Sequence, residues 1–186
     1  MDLAPHFYAK DRAAWREWLM AHHDDETAVW LVYDKGPGRT LSWAGIVQES
    51  LCFGWIDSRP GKVSDTQSKL YIAKRKPKSV WSKINKAHIE EMTAKGLMRP
   101  AGQAAIDRAK QNGSWDALNL SDDLVYPPEL IAGFKVSPTA KKQFETFSES
   151  SRRNVLQWIY DAKTKTTRDA RIGQTIESAE KGVRLR

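Results

Sequence analysis

Every strand-like run in this chain lies before residue 75, and every apolar pattern after it has helical spacing. That segregation limits the fold more than any other feature. Strands and helices kept in separate stretches build an α+β architecture, not an alternating parallel sheet. Ala28-Val29-Trp30-Leu31-Val32-Tyr33 is continuous, β-branched and aromatic, which predicts a strand buried on both faces. Trp55-Ile56-Asp57-Ser58 predicts a second strand. Lys69-Leu70-Tyr71-Ile72-Ala73-Lys74 returns antiparallel to it after a loop at Pro60-Gly61. Two helices pack on this small, mostly antiparallel sheet of three or so strands. Asp11 caps the first, over 12–22, where Trp15, Trp18, Leu19 and His22 fall at i, i+3, i+4 and i+7. Ser42 caps the second, with Ile46, Val47, Ser50 and Leu51 as its buried stripe, and Gly54 ends it or opens the next strand.

Beyond residue 75 the spacing predicts helices. One starts near Ser79 or Ser82 and stops at Gly96; the next opens at Pro100, buries Ala105, Ile106 and Ala109, and stops at Gly113. Residues 114–128 read as an irregular acidic loop, followed by a short helix over 128–134. Three helices then bury Ala140, Phe144 and Phe147, then Val155, Trp158, Ile159 and Ala162, and finally Ile172, Ile176 and Ala179. The expected organisation is one domain over 1–186. It comprises an α+β core (1–112), an acidic loop and short helix (113–134), and C-terminal helices (135–186).

Composition sets the limits on function. Hydrophobic residues make up 40% of the chain and there are eight tryptophans, ample for a core in which most indoles should be buried. No run approaches the roughly 18 apolar residues of a membrane-spanning helix. The start, Met-Asp-Leu-Ala-Pro-His-Phe-Tyr, has neither the basic nor the apolar segment of a signal peptide, so a cytoplasmic location is expected. Charge is segregated along the chain. Residues 1–59 hold six basic and nine acidic side chains, 60–112 twelve and four, 113–134 none and four, and 135–186 twelve and six. Such basic stretches suit nucleic acid or acidic partners, or form a solvated face.

The usual catalytic signatures are missing. There is no Gly-x-Ser-x-Gly elbow, phosphate-binding loop or Gly-x-Gly-x-x-Gly. The four histidines, 6, 22, 23 and 88, lack the His-x-x-x-His spacing of a helical metal pair, and no metal or cofactor is expected. Cys52, flanked by Leu51 and Phe53, reads as a core thiol. Asp57 and Asp65 could act as acid and base, or one could pair with Lys74 or Arg75 while the other shapes the turn. Arg75, Lys76, Ser79, Trp81, Ser82 and Asn85 lie around a predicted helix start. The N–H groups and dipole there would favour an anion, although plain capping by Ser79 or Ser82 explains the same residues.

The run Cys52-Phe53-Gly54-Trp55-Ile56-Asp57-Ser58 is followed by Asp65, then by Arg75-Lys76-x-x-Ser79-x-Trp81-Ser82-x-x-Asn85 and Gly96-Leu97-Met98-x-Pro100-Ala101-Gly102. Together these resemble the YdeI/OmpD-associated family, also described as bacteriocin-protection or OmdA-like. The resemblance continues through Ala109-Lys110-x-x-Gly113-x-Trp115, Pro127-Pro128-Glu129-Leu130 and Thr167-Arg168-x-x-Arg171-Ile172. It implies a bacterial protein without an established activity, tied to bacteriocin or antimicrobial-peptide protection, and it brings no catalytic residues. Trp55, Asp57, Asp65, Arg75, Lys76, Ser79, Trp81, Ser82 and Asn85 are therefore candidates for a ligand site. The leading reading is a binding or stress-resistance protein that takes a small anion or a peptide there. An enzyme using Asp57 or Asp65 beside an Arg75–Ser79 cradle, and a nucleic-acid binder using basic surfaces, are the alternatives. Exposure of Trp55 and Trp81 in a cleft would favour the first two; burial of both, with Lys74, Lys76, Lys78, Lys83 and Lys86 on one exposed face, would favour the third.

Overall fold

The computed structural model describes residues 4–185, so Met1 to Leu3, the first residues read for a leader, lie outside the described residues. The chain divides into two compact units, Met1–Asp116 and Ala117–Arg186, with the boundary inside the acidic stretch. The architecture is α+β: a four-stranded sheet with packed helices, followed by a helical C-terminal region.

In the first unit the order is β1 (His6–Tyr8), α1 (Arg12–His22), β2 (Ala28–Asp34), α2 (Trp43–Cys52), β3 (Trp55–Lys62), β4 (Gln67–Lys74), α3 (Lys83–Ala94) and α4 (Pro100–Gln111). The strands lie side by side as β1-β2-β4-β3; β1 runs parallel to β2 and the other pairs are antiparallel. The caps form as their residue types dictate. Asp11 accepts from the Ala14 N–H at 2.8 Å and Ser42 from Gly45 at 3.0 Å, each satisfying an otherwise orphaned helix donor. Trp15 and Leu19 of α1 then meet Ile46 and Cys52 of α2 over Val29, Leu31, Leu70 and Ile72 of the sheet. Burial of each such large side chain stabilises by roughly 1.5–3 kcal/mol.

Four expectations need correction. The β2 strand is fully buried on one face only, because Trp30 and Val32 stand half-exposed on a face that no helix of this unit covers. Pro60 and Gly61 belong to β3 and are not a loop. Since β3 is an edge strand, the missing N–H of proline leaves no partner unmet. The three-residue β1 is too short to show a period. Only Trp15, Trp55 and Trp81 are fully buried; Trp18, Trp30, Trp115 and Trp158 are half-buried and Trp43 is exposed.

The second unit contains α5 (Asn119–Asp122), α6 (Pro128–Val136), α7 (Pro138–Thr146), α8 (Glu149–Tyr160) and α9 (Lys165–Glu180). The short α5 lies within the stretch read as a loop. Ser137 caps α7 by accepting from Ala140 at 3.2 Å, as its Ser-Pro start predicts. Leu130, Phe134, Phe144, Val155, Leu156 and Ile159 form the core of this unit, with Ile172 and Ala179 of α9 completing it. Trp158 flanks that core, its ring covered by the Arg171 guanidinium at 5.1 Å. Among the described residues no helix is long and apolar enough to cross a membrane.

Candidate functional site

The end of α2 and the start of α4 touch backbone to backbone, and this seam positions everything around it. Gly54 sits at φ +76°, where only glycine is unstrained, and a Cβ on it would stand 2.9 Å from the Ala101 carbonyl oxygen. Across the seam, a Cβ on Gly102 would lie 2.2 Å from the Cys52 carbonyl oxygen. The Gly54 carbonyl in turn accepts the Arg75 N–H at 2.9 Å, which fixes where the residue after β4 leaves the sheet.

Arg75 is 8% exposed. Its guanidinium lies 3.6 Å from the centroid of the Trp81 ring, and its Nη1 donates to the Val80 carbonyl at 3.0 Å. Its Nε is buried without a hydrogen-bond partner, and among the described residues Arg75 closes no ion pair. Burial pulls its pKa down to about 10, against the opposing pull of the Asp57 charge, so it remains a cation at neutral pH. Asp57 pairs with Ile72 in the ladder, which places it on the helix-covered face. Burial pushes its carboxyl up, and its own backbone and Arg75 pull it back only in part.

The remaining candidates divide. Trp55 and Trp81 are 0% and 1% exposed. Trp55 meets Trp18 edge-on at 5.9 Å, and Trp81 is tilted on Trp115 at 5.2 Å, so both are core side chains and not the exposed cleft rings that would have favoured a ligand site or an enzyme built on them. Asp65 lies at the hairpin tip and pairs with Lys62 at 2.6 Å. Asp57 lies near the start of β3, whereas Asp65 lies beyond the strand's end at Lys62, so the two acids sit toward opposite ends of the hairpin. Ser82 caps α3, accepting from the Asn85 N–H at 3.3 Å, while Ser79 lies outside the helix, donating its N–H to Lys76 at 2.9 Å. For these residues, plain capping and turn formation describe what the structure contains. Lys74, Lys76, Lys78 and Lys83 are exposed, whereas Lys86 is held toward Asp116 at 3.9 Å.

A pocket of about 200 Å³ opens beside the seam. Arg75, Lys74, Arg108 and His23 line it together with Asp24 and Gly54. The Lys74 ammonium donates to the Asp24 carbonyl at 2.8 Å, a bond that uses one of its three protons. The sequence pattern did not reveal His23, the residue that caps α1, or Arg108 of α4; they share the pocket with Arg75 only through the fold.

A second buried charge also went unread. Glu49 of α2 is 2% exposed, and its carboxylate accepts from Arg12 Nε at 2.6 Å and Arg16 Nη1 at 2.5 Å. Arg16 also donates to the Leu97 carbonyl at 2.8 Å. The sequence signal was an acid inside an apolar helix and two arginines four apart on another. Cys52 nearby is buried, as expected, and burial raises its thiol pKa. Among the described residues no group of three or more His, Cys, Asp or Glu is placed to hold a metal.

A family model described as "Domain of unknown function (DUF8412)" matches residues 7–105, just over half of the chain. The chain belongs to that family. A second model, "Bacteriocin-protection, YdeI or OmpD-Associated", matches residues 123–182 and supports the YdeI/OmpD-associated resemblance. The residues that carried the resemblance divide between the two, except those at 109–115, which lie outside both matches. Those at 127–130 and 167–172 fall in the second match, whereas those at 52–58, 65, 75–85 and 96–102 fall in the first. No curated protein and no solved structure matches the chain.

Proposed function

We propose that the chain is a binding protein and that the Arg75 pocket takes a small anion, a phosphate or a compact carboxylate. One observation carries this reading: Arg75, buried and without a carboxylate in ion-pair contact, lines a pocket with two further cations, Lys74 and Arg108, against a single acid, Asp24. Burying an unpaired charge costs several kcal/mol, and an anion in the pocket would offset that cost. The volume, about 200 Å³, is below the roughly 300–1,000 Å³ of drug-sized ligand sites, which favours a small occupant. The reading keeps Arg75 from the sequence-predicted set, leaves Asp57 outside the pocket lining, and treats Asp65, Ser82 and the two tryptophans as structural. An enzyme using Asp57 or Asp65 beside an Arg75–Ser79 cradle is the weaker reading, since Asp65 is paired with Lys62 at the hairpin tip and Ser79 lies outside the helix start. The description of the second family names bacteriocin protection, and anion-dependent binding in the cytoplasm is the setting we propose for it.

Thermal unfolding with phosphate, sulfate and citrate, backed by titration calorimetry, tests the reading. At least one anion should raise the midpoint in a saturable way, and Arg108→Ala should weaken its binding. If no anion raises the midpoint, or if Arg108→Ala and Arg75→Met both bind like the parent, the reading fails. Cell fractionation tests the location.

A further inference from the structure

The Arg75 pocket does not end at His23. It takes Ala101, Ala104, Ala105 and Arg108 from α4, and a second hollow of about 210 Å³ takes Pro100 from the same helix and Arg99 just before it. Positions 100, 101, 104, 105 and 108 fall at i, i+1, i+4, i+5 and i+8, which is a single helix face. At 1.5 Å per residue they cover about 12 Å of α4. His23 and Phe53 line both hollows, so the two are neighbours in one trough along that face. Each alone is smaller than the roughly 300–1,000 Å³ of an organic ligand site, and the two together fall within that range.

The shared residues are fixed in place. His23 Nδ1 donates to the Leu19 carbonyl at 2.9 Å, and its Nε2 faces Asp24, the one acid of the lining, at 3.5 Å. The His23 ring meets Phe53 edge-on at 5.1 Å. Phe53 is buried and also covered by the Arg16 guanidinium at 5.5 Å, so it serves as floor and not as a stacking partner. The open surfaces of the second hollow belong to Met20, Arg99 and Pro100, all three exposed, and Arg99 Nη2 lies 3.6 Å from the Met20 sulfur.

A thioether, a guanidinium and a proline ring have one preferred guest in common. Sulfur packs against aromatic rings, and a guanidinium lies over a ring face. An aliphatic arm would cover the Arg99 cation without meeting its charge. A hydroxylated arm would give up water against Met20 and Pro100 for nothing in return. We infer that the ligand of this trough is an aromatic anion, a phosphate or carboxylate that carries one ring. Its charge sits with Arg75, Lys74 and Arg108, and its ring lies against Met20, Pro100 and Arg99. This rests on the Arg75 reading and adds the other half of the ligand.

Titration calorimetry on the full chain tests it with inorganic phosphate, phenyl phosphate and glycerol 3-phosphate, and with acetate and phenylacetate as a carboxylate arm. In at least one arm the ring-bearing anion should bind about tenfold more tightly than the bare one, the scale of burying two CH₂-sized groups. Glycerol 3-phosphate should stay within about threefold of phosphate, on the same scale. Met20→Ala should cut the ring's advantage to below about threefold. Arg99→Gln, at an exposed position, should lower the same ratio while the circular dichroism melt stays that of the parent, which guards against a folding artefact at Met20. If the bare anions bind and the ring adds nothing in either arm, if glycerol gains as much as phenyl, or if both variants keep the full ratio, this inference fails and the Arg75 reading stands. If no anion binds at all, both fail.

Discussion

Glu49 and Arg75 are two buried charges with opposite surroundings. Glu49 is held from both sides by Arg12 and Arg16, and Arg16 continues to the Leu97 carbonyl. Arg75 has a ring beneath it, one carbonyl at its tip and no carboxylate in an ion pair. The first arrangement neutralises the carboxylate inside the protein and joins α1 to α2. The second leaves a positive charge next to a pocket. The contrast separates a charge that holds the fold together from one that no ion pair holds.

The largest test of this contrast is Glu49→Gln. Removing the carboxylate leaves Arg12 and Arg16 facing each other without their counter-charge, and stability should fall by about 3 kcal/mol, read from urea midpoints. A loss under about 1 kcal/mol would mean that solvent already compensates the two arginines. Arg75→Met should behave the other way. It keeps most of the packing on Trp81 and removes an unpaired charge, so stability should stay within about 1 kcal/mol or rise, while anion-induced stabilisation disappears. A loss as large as that at Glu49 would make Arg75 a structural charge and erase the distinction.

A pH series sharpens it further. Burial raises the Asp57 carboxyl in the folded state, so the folded protein holds that proton more tightly than the unfolded chain. Its destabilising effect is absent below the unfolded value near 4 and grows as pH rises through the folded value. Asp57→Asn should therefore gain stability relative to the parent between about pH 4 and 7, measured by denaturant midpoints at each pH. A constant difference across that range would show that burial does not govern Asp57. The smallest expected effect is Arg108→Ala at an exposed helical position: stability should change by no more than about 0.5 kcal/mol, with the anion affinity reduced several-fold.

Local chemistry made much of the fold legible before the structure. Asp11, Ser42, Ser82 and Ser137 cap helices where their residue types and the following apolar spacing say they should. What escaped depends on neighbours distant in sequence. Pro60 fits a strand only because β3 is an edge, and edge position is a property of the whole sheet. Trp81 lies in a motif that reads as a ligand cradle, yet its ring packs between Arg75 and Trp115. The pocket borrows His23 from the cap of α1 and Arg108 from α4, and no local period could join them to Arg75.

The seam at Gly54 and Gly102 has a consequence for how such a pocket can diversify. With carbonyl oxygen on one side and no room for a methyl on the other, the two helix ends cannot be moved apart or together by substitution at those positions. The frame is fixed, and variation is left to the side chains mounted on it. Ala104 and Arg108 also line the cavity and lie exposed on α4, so exchanges there can change its size and charge without disturbing the backbone. A designer seeking a new specificity, or a lineage drifting toward one, has those two positions to work with.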